Sequence, residues 1–360
     1  MKENTRRLID YSLPAVFENI LQTSVGFVDS VLIAKISLVA VSAVSLVNGV
    51  MAVYQAVFIA LAVAVATVVS NAAGARASKA VSENVRQSIA LSLMVGVILS
   101  ILSLVLAHPI LRAMGASGDI LQQGIIFFRV IAGTSVLIVL MTVLGQLIRT
   151  AGQTRTPLTI NLIVNILNFC LDFILIFGLF GFPRLGILGA GIGTALSRLI
   201  GVGLLFHKLQ QTSHRLQGPI FSRDQHIFKT EIVKRALPIM GERLMMRLGD
   251  IVIFVIIIAY GSKVFAGNAI GETITAYNYL PAFGFATGAS ILIARAYGAK
   301  DHLEIRKLTK TSFVMTAIIS TLVGGIIFDF STFILNFFTF DAVSVSAVQV
   351  VILISFVSEP

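Results

Sequence analysis

The chain has 360 residues, of which 56% are hydrophobic and only 12% charged, and its mean hydropathy is +0.94. So few polar side chains cannot clothe soluble domains of that size, which excludes a water-soluble globular protein and points to the bilayer. The net charge of +10 would suit nucleic acid only if it were gathered on one face, while a single cysteine, Cys170, and five scattered histidines offer neither an intramolecular disulfide nor a metal-ligand spacing.

Apolar stretches of about 20 residues, enough to cross the hydrocarbon core, recur along the whole chain. The first predicted helix, 10–34, follows a basic N-terminus, but Pro14, Glu18, Gln22 and Asp29 are foreign to a signal peptide, so it reads as a retained span. Pro14 removes a backbone hydrogen bond and permits a hinge. Glu18, Gln22 and Asp29 stand at i, i+4, i+11 and share a face. Further helices are predicted at 41–70, 88–108 and 121–147.

The fifth, 158–179, carries Asn161, Asn165, Asn168 and Asp172 at i, i+4, i+7, i+11, a polar stripe within roughly 60° of arc. The sixth, 186–206, opens on a glycine-rich run in which Gly189 and Gly193 have GxxxG spacing. With no strand before it, that run predicts close helix packing, not a dinucleotide loop. The seventh, 236–259, sets Arg243, Arg247 and Asp250 on one side with Glu242 adjacent, an arrangement in which opposite charges can neutralise one another. The eighth, 265–294, repeats the stripe offsets with Asn268, Glu272, Thr275 and Tyr279, and a ninth at 311–336 precedes a tenth starting near 345.

Charge placement orients these spans. Nineteen of the 27 Lys and Arg fall at the N-terminus and in the loops after even-numbered helices, four fall in the opposite loops, and four lie within spans. By the positive-inside rule the N-terminus and the long 207–235 loop are cytoplasmic. The basic balance reports topology and gives nucleic acid no support as a partner.

Shifting the sequence by 224 residues places Leu13-Pro14 on Leu237-Pro238, Glu18 on Glu242, Ala62 on Ala286 and Gly74-Ala75 on Gly298-Ala299. Both copies begin on the same side, so the repeats are parallel. The expected organisation is an all-α polytopic membrane protein of two parallel-repeat helix bundles. It comprises a six-helix N-lobe (1–208), a cytoplasmic inter-lobe loop (209–235) and an incomplete C-lobe of three to four helices (236–360). A second copy as long as the first would reach about residue 432, so the reading is of a C-terminally truncated chain.

Acids inside a bilayer are costly and by default face a bundle interior or a wet cavity. Asp29 and Asp172, with the amides beside them, form a pair able to hold a proton or small cation; the competing role for each is a buried hydrogen-bond anchor between helices. Glu272 is open between the same two roles, and Glu18 and the Glu242–Asp250 group lean to the structural one. No Walker, Ser/His/Asp or Cys/His arrangement stands at usable spacing, which argues against ATP-driven transport and enzymatic chemistry.

The stretch LPAVFENILQTSVGFVDSVLIA (Leu13 to Ala34) resembles the first helix of multidrug and toxic compound extrusion (MATE) transporters. TPLTINLIVNILNFCLDFILIFG (Thr156 to Gly178) resembles their fifth, and LPIMGERLMMRLGDIV and GFGFATGASILIARAYGAK their seventh and eighth. The resemblance, to the DinF-like branch, implies a V-shaped pair of six-helix lobes exporting amphiphilic cationic drugs against H⁺ or Na⁺ entry, without a cofactor. It implies a coupling-ion site at Asp29, Asn168, Asp172 and Thr194, with helix 1 bending at Pro14 on protonation; Asn165, on the same polar stripe, is counted with that site. The NorM-type C-lobe acid is replaced by Met246, and Lys35 stands where the family has glycine.

The function expected is secondary active multidrug efflux from a bacterial inner (plasma) membrane by a monomer embedded in the lipid bilayer. Gln22, Asn161, Glu272 and Tyr279 are candidate substrate-cavity residues. Two other readings stand beside it: a lipid-linked saccharide flippase on the same frame, whose cavity calls for several inward Arg or Lys, and a non-transporting truncated membrane protein.

Overall fold

The computed structural model describes residues 2–221, 231–260, 262–330 and 342–358. Among these the elements are all α-helical: α1 (Lys2–Ala34), α2 (Leu38–Gly74), α3 (Ser78–Ala113), α4 (Gly118–Ile131), α5 (Ser135–Thr150), α6 (Arg155–Phe177), α7 (Ile187–Gln210), α8 (Glu231–Ala259), α9 (Ser262–Gly298), α10 (His302–Asp329) and α11 (Ala342–Ser358). Residues 222–230 of the expected loop and 331–336 of the ninth expected helix lie outside the described residues.

Among the described residues five helices (α2, α3, α6, α7 and α10) are long and apolar enough to cross a membrane, and α4 with α5, bent by 43°, meets the same test as a pair. On α3 the run Ile101, Leu102, Leu104, Val105, Leu106 is exposed. An apolar band of that kind is lipid-facing surface, and the chain is a multi-pass membrane protein.

Helix ends extend past the apolar cores because interfacial turns satisfy themselves. α3 starts ten residues before its predicted 88, with Glu83 bonded to both Arg86 and Gln87 in its first turns. Ser37 caps α2 by accepting from the Ala40 N–H at 3.0 Å, and Asp301 caps α10 through Glu304 N at 2.8 Å.

The single helix expected over 121–147 is corrected: it breaks at residues 132–134. Thr134 Oγ1 donates to the Val130 and Ile131 carbonyls at 2.8 and 3.1 Å, competing with the helical ladder. A Cβ at Gly133 would lie 2.0 Å from the Arg129 carbonyl, so this backbone path needs glycine. Pro14 lies within α1, which continues unbroken past it.

The repeat is visible in the backbone. α9 has the bounds of α2 moved by 224 residues at both ends, and α10 starts 224 residues after α3. The turns that follow match as well. Arg76 (φ 53°) and Lys300 (φ 57°) are both left-handed. In one, Ala77 N donates to Ala72 O at 3.1 Å; in the other, Asp301 N donates to Ala296 O at 3.0 Å. Each is a helix-ending turn closed around one left-handed residue.

Packing divides the chain into two compact units, Leu21–Arg243 and Met1–Ile20 with Leu244–Pro360. The divisions fall inside α1 and α8, whereas the repeat places lobe limits at 208 and 236. In the Leu21–Arg243 unit, one cluster joins Phe58, Val65, Val85, Leu144, Leu147 and Leu209, and another joins Ile33, Val47, Phe128, Ile131 and Ile176. The start of the expected inter-lobe loop is pinned to this unit, with His214 buried and Thr150 Oγ1 3.1 Å from its Nδ1. In the other unit Leu8 and Val16 of α1 pack with Phe285, Leu292 and Leu308.

Candidate functional site

The site grows out of the seam between α6 and α7, where small residues let two backbones meet. A Cβ at Gly189 would lie 2.7 Å from the Leu175 carbonyl, one at Gly193 2.1 Å from Asp172 Oδ1, and one at Gly201 2.7 Å from Val164 Cγ2. The expected GxxxG role is therefore met, and the contacts zip the helices antiparallel. Because the seam is so narrow, the polar stripe of α6 lies directly on α7.

Asn168 and Asp172 are buried. The Asn168 amide donates to Thr194 Oγ1 at 3.2 Å and lies within electrostatic reach of Asp172. Thr194 Oγ1 in turn donates to the Ala190 carbonyl at 2.9 Å, which fixes the hydroxyl as an acceptor toward Asn168. Asp29, from the second half of α1, is within electrostatic reach of Asp172. The structure thus brings Asp29, Asn168, Asp172 and Thr194 to one place, with Asn165 one turn along α6.

The seam also supplies a residue absent from the expected site. Arg198 stands one turn beyond Thr194, and its guanidinium acts on both Asp29 and Asp172. The sequence signal was present: Thr194 and Arg198 are i, i+4 on one helix, so an argument that places the threonine on the site places the arginine there too.

Four polar atoms in this cluster, Asp29 Oδ1, Asn165 Nδ2, Asp172 Oδ1 and Arg198 Nη1, are buried without a hydrogen-bond partner. Buried polar groups are nearly always paired, so four such atoms on three helices set this cluster apart from ordinary helix packing. Carboxylate, amide and hydroxyl oxygens together suit a proton or a hard monovalent cation. With both carboxyl groups ionised, the one guanidinium leaves one net negative charge.

The remaining candidates are more scattered. In the Leu21–Arg243 unit Asn161 is half-buried and Gln22 exposed. In the other unit Glu272 is exposed and accepts from Asn268 at 2.9 Å, and Tyr279 packs edge-on against Phe283. Arg247 donates to Asp250 at 3.1 Å, the mutual neutralisation expected of that charged turn. Pro14 is buried in the unit that contains Gly284 and Gly288, whereas Asp29 belongs to the other unit.

The MatE family model matches residues 14–174 and 238–360. The chain belongs to the MATE family. Among its MATE relatives, a probable multidrug resistance protein NorM of Thermotoga maritima is 30% identical over 94% of this chain and 73% of its own length. The transporter YisQ of Bacillus subtilis is 25% identical over 71% of this chain and 56% of its own length. Several curated relatives are, like YisQ, matched over little more than half their length. A solved outward-facing MATE family transporter of the MOP superfamily has the same fold, with a TM-score of 0.89 over 98% of this chain and 79% of that one at 23% identity.

Proposed function

We propose that this MATE protein is a secondary active exporter of amphiphilic organic cations, driven by entry of H⁺ or Na⁺, in which Asp29 and Asp172 take the coupling ion. The observation that carries this reading is the set of four unpartnered buried atoms contributed by α1, α6 and α7. Asn168 and Thr194 orient Asp172, and Arg198 cancels one of the two negative charges, so that a single monovalent cation brings the chamber to neutrality. Relatives named as multidrug resistance proteins support the substrate class, and the uneven spread of Lys and Arg supports a cytoplasmic N-terminus in a bacterial cell membrane.

A flippase for lipid-linked saccharides would need an excess of positive charge around a pyrophosphate. The Asp29–Asp172–Arg198 cluster has the opposite excess, which favours cation coupling. The test is ethidium efflux from energised cells expressing the complete gene. Asp29→Asn and Asp172→Asn each bring efflux to the level of cells without the protein while membrane insertion is unchanged. Wild-type efflux in both variants would remove the coupling role.

A further inference from the structure

The α6–α7 seam opens at the end opposite Gly189. There a groove of about 300 Å³ is lined by Arg155, Thr156, Thr159, Ile160 and Ile163 of α6 and by Leu204, His207 and Lys208 of α7. Its composition is sorted by depth. The three basic side chains come from the outermost turns of the two helices, whereas Ile160, Ile163 and Leu204 lie a turn or more toward the middle of the spans. No acidic residue lines it, and among the described residues none of the three basic side chains forms an ion pair. Gln211 holds two of them in place, accepting from Lys208 Nζ at 3.2 Å and lying 3.0 Å from His207 Nε2.

An exposed apolar face leads away from the groove along the span. Around α6, Arg155, Thr159, Ile163, Ile166, Cys170 and Phe173 fall on the side opposite the Asn161–Asp172 stripe. All six are exposed. On α7, Leu204 is followed one and two turns deeper by exposed Ile200 and Leu196. An exposed apolar face of α6 therefore runs from the cationic rim into the hydrocarbon layer, on the side turned away from Asp172.

We propose that this groove binds an anionic phospholipid, with the phosphate held by Arg155, His207 and Lys208 and an acyl chain lying along the exposed apolar face of α6 that begins at Ile163. A basic pocket between spans at the membrane surface is matched in charge to such a headgroup and in polarity to its tail. Thr159 does not compete for the phosphate as a donor, since its hydroxyl is bonded to the Arg155 carbonyl at 3.1 Å. The guanidinium can meet two phosphate oxygens at once.

Cys170 is the chain's single cysteine, is exposed, and lies two turns deeper than Ile163 on the same face, so a fluorophore attached there reads the groove locally. In the labelled whole protein in bilayers, phosphatidylglycerol brominated on its acyl chains is expected to quench at a roughly 25-fold lower mole fraction than brominated phosphatidylcholine. Arg155→Gln with Lys208→Gln should abolish the difference, each charge contributing roughly fivefold. Arg155→Lys, which retains charge, should preserve most of it, and Lys300→Gln in the other unit should leave it whole. Equal quenching by the two lipids in the wild-type protein overturns the proposal, as does a preference that survives the double substitution. Loss of the preference on adding inorganic phosphate also overturns it, because the groove would then be reading a bare anion.

Discussion

Asp172 is held against α7 by the absence of a side chain at Gly193, and this makes the glycine as decisive as the acid. Gly193→Ala puts a methyl 2.1 Å from the carboxylate oxygen, so the helices must part or Asp172 must rotate. Overpacking of that kind costs about 1–3 kcal/mol. The melting temperature in detergent should fall and efflux should fail together, whereas Gly203→Ala, with nothing within 4 Å, should leave both near wild type. An unchanged melting temperature in Gly193→Ala would show that the seam yields more readily than its geometry implies. Arg198 makes a second prediction at this scale. Arg198→Met leaves two uncompensated carboxylates, so the number of cations entering per drug exported should rise from one to two, measured as charge against substrate flux in proteoliposomes. A constant ratio would take Arg198 out of the charge balance. The acids and amides were legible from helical spacing because they interrupt apolar spans at regular offsets. Arg198 was visible as an intramembrane charge, but its bearing on Asp29 and Asp172 depends on how α6 and α7 cross, which spacing along one helix does not encode.

Among the helices, the two turns around Arg76 and Lys300 show what duplication preserves. Both residues adopt a left-handed conformation that costs a side-chain-bearing residue about 1–2 kcal/mol relative to glycine. Arg76→Gly and Lys300→Gly should therefore each stabilise the protein by about 1 kcal/mol, and by similar amounts, read as matched upward shifts in melting temperature. Opposite shifts would mean that the two turns carry different loads. The turn positions were foreshadowed by Gly74-Ala75 and Gly298-Ala299, whose alignment set the shift between copies. The break between α4 and α5 was not foreshadowed. Hydropathy runs smoothly through Ala132, Gly133 and Thr134, and the break comes from one hydroxyl turning back on its own helix together with a glycine fitted against the Arg129 carbonyl. Helix lengths were underestimated for a related reason: apolar content marks the bilayer core, while turns such as Glu83–Gln87 prolong a helix with polar side chains.

For the molecule as a whole, composition and charge were enough to establish a multi-pass α-helical protein, since no other fold satisfies the backbone in lipid except a closed barrel. The grouping of helices was harder to read. The first twenty residues of the chain belong with the C-terminal unit, because Gly284 and Gly288 of α9 leave room for Val16 and Ser12 of α1, which a Cβ at either glycine would meet at 2.3 and 2.2 Å. Gly288→Val should expel that half-helix, seen as faster hydrogen exchange over residues 2–20 with protection of α6 and α7 retained; unaltered exchange would show that other contacts hold it. The tight α6–α7 seam has one more consequence. With Asn168, Asp172, Thr194 and Arg198 all mounted on a pair of rods that cannot slide without steric collision, that side of the chamber behaves as a fixed electrode. If Asp29 and Asp172 take the coupling ion as proposed, the response to its arrival falls to the member mounted elsewhere, the Asp29 stretch of α1.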